Sequence, residues 1–301
     1  MQMTRRDLFS GVLVTLVWGC NFSVIEWGLQ SVDPYLMTVL RFLFCAIPLI
    51  FFMPRPEGIS YRTLVLYGTL FGAGLWWVVN FAIHNGLSAG MSSVFLQFSA
   101  FFTMLLSTLL LREPMNGVHM AGIVIASTGL AILLLFTDDP STIAGVGLVL
   151  LAALAWSLCN LLIKIKRPKA MLAFMVWTSA FAVPVMAALT IAIEGWQPVR
   201  DLKDAMTWQA GVSILFQSYV TTIAGYAIWN SLMKKYPAAE VAPLSLLVPV
   251  TGMLASAFFF EEVLAVHQVV AILIVLSGVG VFLNAGRLLC LLEKRLGLAG
   301  K

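Results

Sequence analysis

The chain has 301 residues, 60% of them hydrophobic and 11% charged, with a formal net charge of +4. A soluble domain carries about 25% charged residues, because a folded surface in water needs them, so composition excludes a soluble globular domain and points to an integral membrane protein. The small positive charge acquires meaning only when its residues are placed along the chain.

Ten apolar runs follow one another, each of roughly twenty residues and so able to cross a ~30 Å hydrocarbon core as a helix. Their continuity lacks the alternation of a membrane β-barrel, and lipid admits no other spanning structure. Span 1 (8–29) carries Trp18, Asn21 and, near its far end, Glu26. It is too long for a signal-peptide core and "VWGCNF" is a poor cleavage site, so no cleavable signal is expected. Span 2 (34–53) is apolar except for Arg41, and contains Pro48. Span 3 (63–84) offers Gly68, Gly72 and Gly74 for close helix contact, then Trp76, Trp77, Asn80 and His84 at helical spacing. Span 4 (89–111) holds Gln97 among apolar neighbours. Span 5 (117–136) follows Glu113, whose carboxylate suits the positive end of that helix. Span 6 (143–163) holds Trp156 and Asn160 and is followed by the basic cluster "KIKRPK". Span 7 (170–193) contains Pro184, and the connection after it, 194–206, is the longest. Span 8 (207–233) sets Tyr219, Thr222, Tyr226 and Trp229 at intervals of three and four. Span 9 (238–260) contains Pro243, Ser245 and Pro249, and span 10 (266–286) follows Glu262. A proline inside a helix removes a backbone bond and permits a kink.

The charges give an orientation. With the N-terminus in the cytoplasm, fifteen of the eighteen Lys and Arg residues fall in inner segments, only Arg200 and Lys203 fall outside, and Arg41 lies within the membrane. That bias predicts cytoplasmic N- and C-termini. The four cysteines, Cys20, Cys45, Cys159 and Cys290, show no CxxC spacing and read as small buried hydrophobes. No metal, cofactor or catalytic group is expected.

The chain also repeats. Residues 89–135 overlay 238–284 without a gap, which aligns Glu113 with Glu262 and Thr128-Gly129 with Ser277-Gly278. Pro48 aligns with Pro184, and Trp18 with Trp156. Two five-helix halves, 1–138 and 139–301, must sit inverted in the membrane because five is odd. Inverted repeats with a site between them at mid-depth are a common plan of secondary transporters.

These residues resemble a family. "VWGCNFSVIEWGL" in span 1, "LRF" in span 2, "GLSAGMSSVFLQFSAFFTMLL" in span 4, "TTIAGYAIWNSLMKKY" in span 8 and "VAPLSLLVPVTGMLAS" in span 9 are similar to the drug/metabolite transporter superfamily, and within it to the EamA-type exporters. The stretches in spans 4, 8 and 9 look like the bacterial amino-acid exporters, those for O-acetylserine and cysteine in particular. The resemblance implies an all-α fold, ten helices in two inverted EamA-like repeats around a central cavity, lined by spans 1, 3, 4, 6, 8 and 9. It implies export of small metabolites, amino acids or derivatives foremost, across the bacterial inner membrane. A drug or other metabolite exporter of the same superfamily is the alternative. A membrane-embedded enzyme is disfavoured, since no HExxH, buried carboxylate pair or Ser/His/Asp grouping falls at membrane depth. Expected partners are the lipid bilayer and a small-molecule substrate, with a homodimer left open and no nucleic acid.

Polar groups in lipid are costly and face protein or water. The expected substrate-binding set is therefore Trp18, Asn21, Trp77, Asn80, Gln97, Trp156, Asn160, Tyr219, Thr222, Tyr226 and Ser245, with aromatic walls for apolar atoms and amides or hydroxyls for charged ends. Interfacial aromatic belts and polar glue between helices are the competing reading. Arg41 is expected to pair with Glu26 at the outer side or to bond helix-end carbonyls, as a structural or outer-gate charge pair, with anchoring of a substrate carboxylate as the sharper alternative. No carboxylate or imidazole falls at mid-depth, so transport driven by the substrate's own gradient is expected, with Glu26 as the group that could instead carry a proton.

Overall fold

The protein is described by a computed structural model covering residues 3–84, 87, 89–113, 115–136, 143–259, 264–284 and 288. Helix α1 (Arg5–Leu29) begins where the Thr4 hydroxyl accepts from the Asp7 amide, and α2 (Pro34–Ala46) where the Asp33 carboxylate accepts from the amides of Tyr35 and Leu36, with Pro34 in the first turn. Both are standard ways to satisfy the free N–H groups of a helix start. Ile47 then turns extended ahead of Pro48, as a residue before proline prefers, and a short 3₁₀ turn (Leu49–Phe51) completes the span. Pro48, expected inside a helix, therefore stands just past the end of one.

The chain continues as α3 (Tyr61–Gly68), a π-helical segment π1 (Thr69–Trp77), α4 (Val78–His84), α5 (Ala89–Leu96), α6 (Phe98–Leu111), α7 (Gly117–Leu135), α8 (Ile143–Lys166) and α9 (Met171–Glu194). It then forms α10 (Gln197–Ala205), α11 (Trp208–Leu215), a second π-helical segment π2 (Phe216–Gly225), α12 (Tyr226–Lys235), α13 (Ala238–Val241), a 3₁₀ segment (Ala242–Leu246), α14 (Leu247–Phe259) and α15 (Val266–Leu283). No strand occurs among the described residues. The long connection 194–206 contains α10, a helix with no buried residue. Pro184 lies inside α9 as expected. Pro249 sits in the first turn of α14, where a missing N–H costs nothing.

Among the described residues eight apolar helical stretches are long enough to cross a membrane, and α7 and α15 are apolar as well. Phe9, Leu109, Leu110, Leu151, Phe258 and Leu273 are all exposed on the outside, the surface of a protein solvated by lipid. Helices α1 and α14, α2 and α9, and α6 and α8 pack in pairs. Small residues set the closeness of such contacts: Gly19 on α1 lies against Thr251 and Gly252 on α14, and α3 and π1 approach α9 in the same way. Gly68 lies against the Thr178 carbonyl, and Gly72 against Ala182 and Met186, all on α9.

Helices α7 and α15 meet through reciprocal contacts. A Cβ on Gly129 would fall 2.8 Å from the Ala271 carbonyl oxygen and 3.0 Å from the Val275 nitrogen, while one on Gly278 would fall 2.7 Å from the Gly122 carbonyl oxygen and would strike the Ala126 amide. The earlier residue of one helix meets the later residue of the other, so the pair is antiparallel.

Candidate functional site

Four aromatic rings meet in the interior where α1, α8 and α12 converge. Trp18 lies 5.7 Å from Trp156, 4.5 Å from Tyr226 and 5.2 Å from Trp229, centroid to centroid. Phe71 of π1 adds an edge contact to Tyr226 at 4.5 Å. The cluster is fixed by two indole hydrogen bonds. Trp18 Nε1 donates to the Thr221 carbonyl at 3.2 Å, and Trp229 Nε1 donates to Asn160 Oδ1 at 3.1 Å. Asn160 in turn donates to Thr103 of α6 at 3.1 Å.

Arg41 is buried at the edge of this cluster with 2% of its surface exposed. Its Nε donates to Thr222 Oγ1 at 2.8 Å, one terminal nitrogen to Thr221 Oγ1 at 3.3 Å and the other to Gln217 Oε1 at 3.5 Å. The guanidinium lies over the Trp76 ring, 4.1 Å from its centroid, a cation–π contact strengthened by desolvation. The expected pair with Glu26 does not form. Arg41 points from α2 towards π2, whereas Glu26 is an exposed residue of α1 that shares a pocket lining with Trp76. Neutral side chains, not helix-end carbonyls, accept its hydrogen bonds.

The end that carries the N-terminus is closed by charges. Lys164, one turn beyond Asn160 on α8, forms an ion pair with Glu113 at 2.6 Å and donates to the carbonyls of Tyr236 at 2.8 Å and Met233 at 3.3 Å. The second Glu113 oxygen accepts from the Ala238 amide at 2.7 Å. Beside this, Asp7 pairs with Lys235 at 2.5 Å and accepts from the Tyr236 hydroxyl at 2.6 Å. Together these bonds tie α1, α6, α8, α12 and α13 at one end. Glu113, expected to favour the start of the following helix, instead caps Ala238 and neutralises Lys164. Its counterpart Glu262 lies outside the described residues. A shallow groove lined by α1, α9 and α12 runs beside this closure, on the outer surface.

Towards the opposite end the described residues form a recess. A vestibule of about 280 Å³ is lined by Phe22, Ile25, Glu26, Leu29, Trp76, Val79, Asn80 and Ile83, slightly below the ~300–1,000 Å³ typical of drug-sized ligand sites. Its wall Trp76 is the ring that covers Arg41. Vestibule, Arg41, aromatic cluster and charged closure thus follow one another along a single axis.

The expected residues divide. Trp18, Trp156, Thr222 and Tyr226 gather on the axis, and Asn80 lines the vestibule, its amide held by Thr38 and the Pro34 carbonyl. Buried polar atoms without a hydrogen-bond partner remain on Asn21 (Oδ1), Gln97 (Oε1), Trp156 (Nε1) and Ser245 (Oγ). Asn160 has both ends of its amide engaged by protein. Trp77 turns away, stacking on Tyr35 at 5.1 Å and donating to Thr190 at 3.2 Å. Tyr219 is only half-buried and joins none of the ring contacts of the cluster. The cause is π2: i→i+5 bonding adds a residue to the turn, so Gln217, Ser218, Thr221 and Thr222 are buried there instead. The His84 side chain and Cys290 lie outside the described residues. Sequence reasoning missed Gln217, Thr221 and Lys164 as members of the axis. The buried hydroxyl run of span 8 was the available signal for the first two.

Among the described residues no group of three or more His, Cys, Asp or Glu side chains is disposed to hold a metal ion. The EamA-like transporter family model matches twice, at residues 6–135 and 143–284. The chain belongs to that family. A probable amino-acid metabolite efflux pump of Salmonella typhimurium is 34% identical over 92% of this chain and 94% of its own length. Its namesake in Escherichia coli K12 is 31% identical over the same shares. A solved crystal structure, 16% identical, superposes with a TM-score of 0.68 over 92% of this transporter and 96% of that chain, a likeness of fold. This EamA-like transporter is thus a multi-pass membrane protein.

Proposed function

We propose that this transporter exports small amphipathic metabolites, amino acids or derivatives such as cysteine and O-acetylserine foremost, by alternating access across the bacterial inner membrane. The observation that carries this reading is the asymmetry of the axis: charges tie one end shut, while towards the other the described residues form a vestibule whose wall, Trp76, covers the buried Arg41. The names of the two efflux-pump relatives favour amino-acid cargo. The aromatic walls and the partnerless polar atoms of Asn21, Gln97, Trp156 and Ser245 suit a substrate with both apolar and polar ends.

Two halves of five helices, 1–138 and 139–301, inverted in the bilayer, are the proposed architecture. The family match falls once in each half. Gly129 meets residues 271 and 275 while Gly278 meets 122 and 126, the same contact made from both repeats, as a pseudo-twofold axis between antiparallel equivalents requires. The two π segments occupy matching places, each starting eight residues into its span, at Thr69 after Tyr61 and Phe216 after Trp208. With the termini in the cytoplasm, as the Lys and Arg bias favours, the closed end is cytoplasmic and the vestibule faces outward.

Reporter fusions after Arg62, Lys166 and Lys301 are expected to report cytoplasm and one near Asp201 the periplasm. Cells loaded with cysteine through a cysteine-containing dipeptide are expected to release it several-fold faster when they express the transporter. A periplasmic C-terminus contradicts the inverted halves, and efflux unchanged across a panel of amino acids contradicts the substrate class.

A further inference from the structure

The two cations whose ion pairs tie the closed end have carboxylates: Lys164 has Glu113 and Lys235 has Asp7. Arg41 has none among the described residues, although it is the most deeply buried of the three. Buried charges in proteins are normally paired, because neutral acceptors do not replace the hydration a cation gives up. The side chain offers five N–H donors. Three are engaged, all by neutral oxygens of π2, and the contact to Gln217 is long at 3.5 Å. Two donors are left over on a planar fork whose geometry matches a carboxylate.

The fork is also held in place. Gln217 is braced by its amide donating to Ser213 at 3.0 Å, Thr221 by its hydroxyl donating to the Gln217 carbonyl at 2.7 Å, and the Arg41 carbonyl accepts from Ser218 at 2.9 Å. Trp76, whose ring covers the guanidinium, is itself a wall of the vestibule, and that vestibule carries the exposed carboxylate of Glu26. A cationic group and an anionic group therefore both adjoin the Trp76 indole, one over its ring and one in the vestibule it walls.

We propose that Arg41 is the carboxylate-reading residue of the substrate site, reached when Trp76 swings off the guanidinium, while Glu26 meets the substrate's ammonium. The cargo is then a zwitterion, an α-amino acid, and this inference rests on the amino-acid reading above. Binding replaces the cation–π cover by a bidentate ion pair. A substrate lacking its carboxylate leaves Arg41 as it was and gains nothing from the site.

The test is competition in proteoliposomes. Counterflow of a labelled amino acid is competed by the unlabelled amino acid, by its carboxamide and by its deaminated acid; for cysteine these are cysteinamide and 3-mercaptopropionate. In the unaltered protein the amino acid is expected to compete at least tenfold better than the carboxamide. Arg41→Gln should bring that ratio to within twofold while the preference over the deaminated acid persists. Glu26→Gln should do the reverse. Arg41→Lys keeps the charge but loses the fork, and is expected to reduce the carboxylate preference at least threefold; it serves where Arg41→Gln fails to fold. Folded variants at Arg41 that retain the full preference for the carboxylate overturn the inference alone. An unaltered protein that moves no amino acid overturns the amino-acid reading, and the inference falls with it.

Discussion

Glu113→Gln is expected to open the charge-closed end, the cytoplasmic one in the proposed orientation. The substitution leaves the Lys164 ammonium, whose side chain is 6% exposed, without its counter-charge. Removing one partner of a buried pair costs about 3–5 kcal/mol, and the 22% exposure of Glu113 places this pair at the lower end. The bonds at stake join Lys164 and Glu113 to Ala238, Met233 and Tyr236 across that end. About 3 kcal/mol moves an equilibrium roughly a hundredfold. The readout is maleimide labelling of Cys159, a buried thiol beside Asn160 on α8, with Cys20, Cys45 and Cys290 replaced by Ser. Labelling from the cytoplasmic side should accelerate by one to two orders of magnitude. The double change Glu113→Gln with Lys164→Met should recover much of the protection, because it removes the stranded charge as well. Equal labelling in all three proteins denies the ion pair any part in closure.

Trp18→Ala is expected to be the most damaging single truncation on the axis. Its ring touches three others in the cluster and its indole N–H is bound to the Thr221 carbonyl. Truncating a buried Trp costs about 3–5 kcal/mol, and here it also releases the segment that positions Thr221 and Thr222 against Arg41. Trp18→Phe should keep most of the packing and lose the hydrogen bond, about 1 kcal/mol. Thermal unfolding in detergent should rank the proteins native, Phe, Ala, and transport should follow the same order. An Ala variant as stable as the native protein contradicts the central role given to the cluster.

Much of this architecture was legible because membrane helices write themselves plainly: some twenty apolar residues in a row admit one reading. Trp18, Trp156 and Tyr226 could be picked out by helical spacing, and the structure does bring them together. Spacing failed where the helix is not α. π1 and π2 add a residue to a turn, so Tyr219 left the face that intervals of three and four assigned to it. Side-chain partners were the least legible. Arg41 was assigned to Glu26 because they sit on adjacent spans, yet it reaches to residues 176 to 181 positions away. Lys164 and Glu113 looked like a topogenic charge and a helix-end charge, and only the folded chain brings these two residues, 51 apart, into contact. Asn160 looked free to meet a substrate because its two protein partners come from other helices.

The central claim is that this protein is a carrier that moves an amino acid by exposing one site alternately to each side. Counterflow tests it most directly. Purified protein in liposomes holding a high concentration of unlabelled cysteine or O-acetylserine, with no pH difference across the membrane, should draw labelled amino acid inward transiently against its own gradient. The account predicts that this overshoot appears at equal pH and is unchanged by an imposed proton gradient. No exchange of any amino acid tested, or accumulation that occurs only with a proton gradient and vanishes in Glu26→Gln, would contradict it.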